Sequence, residues 1–292
     1  MITLRKAAVG DKPRIAEISA QIWEGDDYVP EVLHDWLSDS NGELVVAIDD
    51  GMIISFAHRS YLLEGYAWFQ GARTDPLYRN KGASQKIFHH FLDAVREEKA
   101  ELIGLSTYIE NRSSIHIIEK NGFQKVASFV RLEARSDELK RGQAHLFSRA
   151  REISADLAIP YIADSQAMHV ANGRFCHGWE FYPFHRDPRR IIAGEKLLGI
   201  EEKGKLLGLI CLKREANPKN GIFIDFADGR KDVLEDLLRH ALYLGQRSDT
   251  TETMIPKDEA LEAPALDILR QIGFQTEHGF APDVFVYERK PY

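Results

Sequence analysis

The sequence predicts an α/β protein with a mixed α+β sheet, built as two similar units in tandem of which the second is degenerate. Three observations carry this. A meander of strand-like runs enters an amphipathic helix through a basic, glycine-containing turn at 74–84. The same succession of elements recurs beyond residue 196. A chain of 292 residues with 44% hydrophobic content exceeds one typical domain and can fill two cores.

Taken in order, a strand is expected from Ile2 to Lys6, then a helix from Asp11 and Pro13, both good helix-start residues, to about Ile22. A second helix is expected from Pro30 to Leu37, followed by strands Glu43 to Ile48, Met52 to Tyr61 and Tyr66 to Thr74, the first two joined by a turn at Asp49-Asp50-Gly51. Ile87, Phe88, Phe91, Leu92 and Val95 then recur on one helical face. Strand Glu101 to Thr107 leads to a short helix at 112–121, opened by Asn111 and stopped by Gly122, with Phe123 beginning the next strand. These elements assign 1–135 to the first domain, 136–163 to a charged helical linker and 164–292 to the second domain. In the latter the expected elements are strands Lys196 to Glu202, Lys205 to Arg214 and Gly221 to Ala227, helix Lys231 to Leu244, strand Glu252 to Ile255, helix Glu259 to Gln271, and strand Val284 to Arg289. Gly273-Phe274 echoes Gly122-Phe123.

The turn at 74–84 has the chemistry to hold a phosphate. N–H groups converge at a helix start, their dipole favours an anion, and Gly82 admits close approach to the main chain. Arg79 and Lys81 add positive charge beside it.

Arg79-Asn80-Lys81-Gly82-Ala83-Ser84, followed by Asn111, Ser114, Glu119, Lys120, Gly122 and Phe123, resembles the two signatures of the GCN5-related N-acetyltransferase (GNAT) family, in order and spacing. The resemblance implies a fold of that type over residues 1 to about 135, with acetyl-CoA as co-substrate. It implies a cofactor-binding set of Arg73, Thr74, Arg79, Asn80, Lys81, Gly82, Ala83, Ser84, Asn111 and Ser114. It further implies that the pantetheine arm lies along the strand Tyr66 to Thr74 and that a backbone N–H there polarises the acetyl carbonyl. Ile118 stands where many members carry a tyrosine that protonates the departing thiolate; Tyr108, His116 or water would then supply the proton. In the second domain the matching turn reads Asp228-Gly229-Arg230-Lys231-Asp232, with carboxylates and no following small residue, so no cofactor is expected there.

Acylation of an amine also needs a proton acceptor. Glu64, before the pantetheine strand, and Glu24, Asp26 and Asp27, in the loop that walls the acceptor in this family, are the candidate bases. Trp23, Glu24, Asp27 and Tyr28 form an acidic-aromatic cluster suited to a cationic amine, although such a loop can equally be a solvated surface. The segment 23–36 resembles histidine N-acetyltransferase-like proteins, implying a free amino acid such as histidine as acceptor, its carboxylate meeting Arg73 or Arg59. The expected function is acetyl transfer to a small-molecule amine by direct attack in a ternary complex; the alternative is a catalytically silent acyl-CoA-binding or regulatory protein.

Net charge −7 argues against nucleic acid as a partner. Two cysteines, Cys176 and Cys211, build no disulfide framework. The N-terminus lacks a signal-peptide core and no apolar run is long enough for a membrane span, so a cytoplasmic monomer or homodimer is expected. His169, Cys176, His177 and His185 follow no regular zinc spacing, and no metal is expected. The aromatic stretch Phe175, Trp179, Phe181, Tyr182 and Phe184 reads as core packing or as acceptor-pocket lining. No Gly-x-Ser-x-Gly elbow or His-Glu-x-x-His site occurs.

Overall fold

A computed structural model describes residues 1–22, 25, 27–135, 148–214, 222–244, 250–258 and 263–291. Trp23, Glu24, Asp26 and residues 136–147 of the expected linker lie outside the described residues. The chain divides into two compact units. The first comprises Met1–Leu105, His116–Gln124 and Glu288–Tyr292, and the second Ser106–Ile115 and Lys125–Tyr287. The strand that follows Phe123 thus groups with the second unit, upstream of the sequence-expected domain boundary at 135.

In chain order, β1 (Thr3–Lys6), α1 (Lys12–Ser19), α2 (Val29–Ser38), β2 (Glu43–Asp49), β3 (Met52–Leu63), β4 (Tyr66–Thr74), α3 (Ala83–Glu97), β5 (Leu102–Tyr108) and α4 (Arg112–Lys120) come first. The division between the units runs through β5 and α4. β1 to β4 form an antiparallel meander, and β4 then pairs parallel to β5 only at 66–68 against 102–104. Ile15 and Ile18 of α1 and Leu33 and Trp36 of α2 pack on Leu44, Val46 and Phe56 of the meander. α3 buries Ala83, Ile87, Phe91, Leu92 and Val95, with Phe91 against Phe69 of β4 at 5.3 Å between ring centroids. The expected end of α1 at Ile22 is corrected to Ser19. Beyond it the chain tightens into turns, Gln21 N–H to Ile18 O and Ile22 N–H to Ser19 O.

The second unit continues with β6 (Gln124–Arg135), β7 (Arg151–Glu152), α5 (Ala155–Ala163), α6 (Gln166–Val170), β8 (Arg174–His177), β9 (Glu180–Pro183), α7 (Pro188–Ile191), β10 (Lys196–Glu202), β11 (Lys205–Arg214), β12 (Ile222–Gly229), α8 (Lys231–Leu244), β13 (Thr250–Pro256), α9 (Pro264–Ile272) and β14 (Val284–Arg289). Its sheet runs β14-β6-β13-β12-β11-β10-β7, and β8 and β9 form a separate hairpin. β12 repeats the behaviour of β4, pairing parallel to β13 only at 222–224 against 251–253. A core of Leu234, Leu237 and Leu238 from α8 and Leu266, Leu269 and Ile272 from α9 packs on Ile210, Leu212 and Ile224 of the sheet. Segment 164–195 escaped sequence assignment because its elements are four or five residues long, too short to show a period. Among the described residues no helix is long and apolar enough to cross a membrane.

Candidate functional site

The end of β4 is anchored before the chain reaches the basic turn. Ser55 Oγ donates to the Arg73 carbonyl at 2.7 Å and meets Thr74 Oγ1 at 2.9 Å. Asp75 is buried, accepts from Leu77 N–H at 2.9 Å, and forms an ion pair with Arg14. With its entry fixed, the loop turns through two left-handed residues, Asn80 at φ +64° and Gly82 at φ +79°. Such alternation makes successive N–H groups converge into an anion-binding concavity. No side chain caps α3 behind Gly82, so its first N–H groups remain available. Arg79, Asn80 and Lys81 are exposed; Lys81 leans over the Tyr78 ring at 4.6 Å and lies 3.7 Å from Asp49. A β-carbon at Gly82 would touch nothing, so its φ and the open approach to its backbone are what require glycine.

Upstream, β4 carries a bulge. Phe56 pairs with Arg73 and His58 with Gln70, so Gly71 and Ala72 together face the single residue Ala57. Gly71 has φ +65°, and a β-carbon there would stand 2.2 Å from Trp36 Cη2. Trp36 stacks on the buried His58 at 4.7 Å, and Gln70 Nε2 lies 3.4 Å from His58 Nδ1. Burial holds the His58 imidazole down to about 4, despite Asp39 Oδ2 at 3.2 Å from its Nε2. His58 is therefore neutral at pH 7. The splayed, bulged strand offers main-chain groups that β5 does not pair, which is what an extended amide-bearing ligand can bind as an added strand.

Sequence reasoning missed the Trp36, His58, Gln70 and Gly71 arrangement. Its one visible signal is a lone glycine inside a strand pattern.

Several sequence-derived site residues are already engaged. Asp27 is buried; its carboxylate accepts from Arg73 Nη2 at 2.8 Å, Arg73 Nε at 3.0 Å and the Ser19 hydroxyl. Arg73 also lies 5.6 Å from the Tyr28 ring, which meets Trp36 edge-on at 6.1 Å. Asp27, Arg73 and Tyr28 thus tie the start of α2 to β4 beside the bulge. Arg59 is likewise buried and bidentate to Glu98.

Glu64 is exposed at the turn before β4, five residues and so roughly 17 Å of strand from Phe69, where the splay begins. That separation argues against it as the base. Tyr108 donates its hydroxyl to Glu277 at 2.5 Å; burial first, then that bond, raises it well above the usual phenol range and makes it a poorer acid. His116 is exposed on α4, whereas Ile118 is buried. Asn111 and Ser114 open α4 and belong to the second unit.

In the second unit the counterpart of the loop carries a carboxylate at each end, Asp228 and Asp232. Asp228 accepts from Ala167 N–H at 2.7 Å at the start of α6, which packs against β12 and β13. Burial raises the Asp228 carboxyl, opposed by backbone N–H bonds and by Tyr161. Asp232 sits in the first turn of α8, paired with Arg230 at 2.9 Å.

Residues 12–123 match the family model described as Acetyltransferase (GNAT) family. N-alpha-acetyltransferase RimI of Mycobacterium tuberculosis (strain ATCC 25618 / H37Rv) is 25% identical over 129 residues, covering 43% of this chain and 80% of that protein. A GCN5-related N-acetyltransferase of Sphaerobacter thermophilus superposes over 99% of this chain and 96% of its own with TM-score 0.67 at 14% identity. A tandem GNAT protein from the clavulanic acid biosynthesis pathway does so over 100% and 99%, TM-score 0.62, at 11% identity. The chain carries an acetyltransferase domain of the GNAT family at 12–123, and its fold over the whole length is that of the tandem GNAT proteins. Acetyl-CoA is the co-substrate of that family.

Proposed function

We propose that the first unit transfers an acetyl group from acetyl-CoA to the amine of a small molecule, with a free amino acid such as histidine as the leading acceptor. The observation that carries this reading is the continuity of bulged β4, Asn80 and Gly82 in left-handed conformations, and an uncapped α3. The 79–84 backbone would hold the pyrophosphate, and the 69–74 edge of β4 the pantetheine. An N–H at the bulge would face the thioester oxygen, where negative charge develops. The neutral amine attacks the thioester carbon, a C–N bond forms, the C–S bond breaks, and CoA leaves as its thiolate. Thiols have a pKa of about 8.5, so protonation from water suffices. This suits a chain in which Ile118 is buried and the Tyr108 proton is committed to Glu277. The ammonium proton passes to Glu24 or Asp26, directly or through water. The second unit is degenerate and binds no CoA.

The RimI likeness supports a second acceptor, the α-amine of a polypeptide. Thiol release from acetyl-CoA, measured with free amino acids, polyamines and short peptides, separates the cases. Free amino acids are expected to give the fastest release. Release with peptides alone favours the second reading, and tight acetyl-CoA binding with no release for any amine would make the protein a silent acyl-CoA binder.

A further inference from the structure

Asp225 is the extra residue of a second bulge. Cys211 pairs with Phe226 and Leu212 with Ile224, leaving Asp225 of β12 unpaired in the ladder. Its side chain is fully buried, and its neighbours come from distant parts of the second unit: His177 from the end of β8 and Glu195 from the turn before β10. His177 Nε2 lies 3.3 Å from Glu195 Oε1 and 3.7 Å from Asp225 Oδ2, and one ligand atom from each residue falls within 4.8 Å of the others. The Glu195 side chain is 2% exposed and that of His177 14%. His177 Nε2, Glu195 Oε2 and Asp225 Oδ2 are buried with no hydrogen-bond partner.

We propose that His177, Glu195 and Asp225 bind one divalent first-row transition cation, zinc foremost. Ligand atoms about 2.0–2.1 Å from a tetrahedral ion are about 3.3 Å apart, which the His177–Glu195 spacing of 3.3 Å matches and the His177–Asp225 spacing of 3.7 Å approaches. Two carboxylates and a neutral imidazole balance a 2+ charge, and the mixed N/O set suits a borderline cation. The surroundings orient the ligands as metal sites require. Gly178 N–H points to Asp225 Oδ1 at 3.4 Å, leaving Oδ2 for the ion, and Phe175 and Tyr182 flank the His177 ring at 5.5 and 5.4 Å between centroids. Cys176 donates its thiol to Gly178 O at 3.2 Å and stays outside the set. Without an ion two buried carboxylates are left facing each other. In keeping with this the Asp225 carboxyl is pushed well up, by burial first and Glu195 second.

The test uses the full chain, stripped with a chelator and titrated with Zn²⁺ by calorimetry, alongside melting curves and a Co²⁺ absorption spectrum. One equivalent per chain, a raised Tm and a visible Co²⁺ d–d band are expected. Glu195→Gln and His177→Gln should each weaken binding by at least about a hundredfold while leaving the near-UV circular dichroism spectrum and the cooperativity of urea unfolding unchanged, which shows that the second unit is still folded. The proposal is overturned if Zn²⁺ does not bind, or if both variants bind it as wild type does. It also fails if Glu195→Gln raises Tm in a protein that Zn²⁺ never stabilises, since the carboxylates would then be a proton-sharing pair.

Discussion

In the first unit β4 leaves β5 after three paired residues, bulges at Gly71–Ala72, and delivers the chain to Gly82 and an uncapped α3. In the second, β12 leaves β13 after three paired residues, bulges at Asp225, and delivers it to Asp228, whose carboxylate caps α6, and to Asp232 in the first turn of α8. The splay and the bulge are properties of strand packing and have survived in both. Competence for an anion depends on which charges stand at the helix start, and a few side chains reverse it. The same splayed, bulged strand thus leads to different chemistry in the two units, and in the second the bulge presents a buried carboxylate.

The largest effect expected from this contrast is at Gly82. Gly82→Asp places a side chain where φ is +79° and a negative charge among the N–H groups that would meet the pyrophosphate. Acetyl-CoA affinity should fall by about a hundredfold or more, roughly 3 kcal/mol. Calorimetry on the wild type should find one site per chain. Two equivalent sites, or undiminished binding by the variant, would erase the distinction between the units.

The second effect concerns stability in acid. Beside its bulge the first unit buries His58, whereas β11 of the second buries Leu209, Ile210, Cys211 and Leu212, none of which gains charge as pH falls. The folded-state value for His58 is about 4, against 6.5 when unfolded. The unfolded chain thus binds the proton first, so this contribution is complete above about pH 6.5 and is lost progressively as pH falls toward 4. The loss is on the order of 3 kcal/mol. Urea midpoints at pH 7 and pH 4.5 should separate strongly for wild type and much less for His58→Gln. Equal separation would move the acid sensitivity elsewhere.

Ile118 permits a sharper comparison. Phe123 N–H reaches the Ile118 carbonyl at 3.3 Å and Phe274 N–H the Leu269 carbonyl at 3.0 Å, so the two residues hold the same place at the ends of α4 and α9. Both are buried aliphatics. Ile118→Tyr overfills that place and should cost about 1–3 kcal/mol in urea unfolding without raising the rate of acetyl transfer. A faster enzyme would mean that a phenol can reach the leaving group.

What the sequence disclosed was local. The 74–84 turn, the α3 face and the Gly-Phe stops depend on neighbours a few residues apart, and each could be read from spacing. Asp27 with Arg73, Trp36 with Gly71, and His177 with Glu195 and Asp225 are joined only by the sheet, at separations that leave no period. Glu64 shows the converse relation between sequence and space. It adjoins the right strand in sequence, but strand rise carries it away from the splay. The short elements of 164–195 were invisible for want of length.

The smallest expected effect is at Tyr108, which tests whether the reaction needs a phenolic acid at all. Its hydroxyl is bound to Glu277, and burial with that bond keeps its proton on far above neutral pH. A phenol so held donates weakly, and a thiolate leaving group with a pKa of about 8.5 asks for little help at neutral pH. Tyr108→Phe should therefore lower kcat by less than about tenfold and leave the pH dependence of kcat/KM unchanged, its main consequence being an unpartnered Glu277. His116→Ala, at an exposed site, should change less still. A thousandfold loss at Tyr108 with an altered alkaline limb would make the hydroxyl the proton donor. The Glu277 bond would then have to break during turnover.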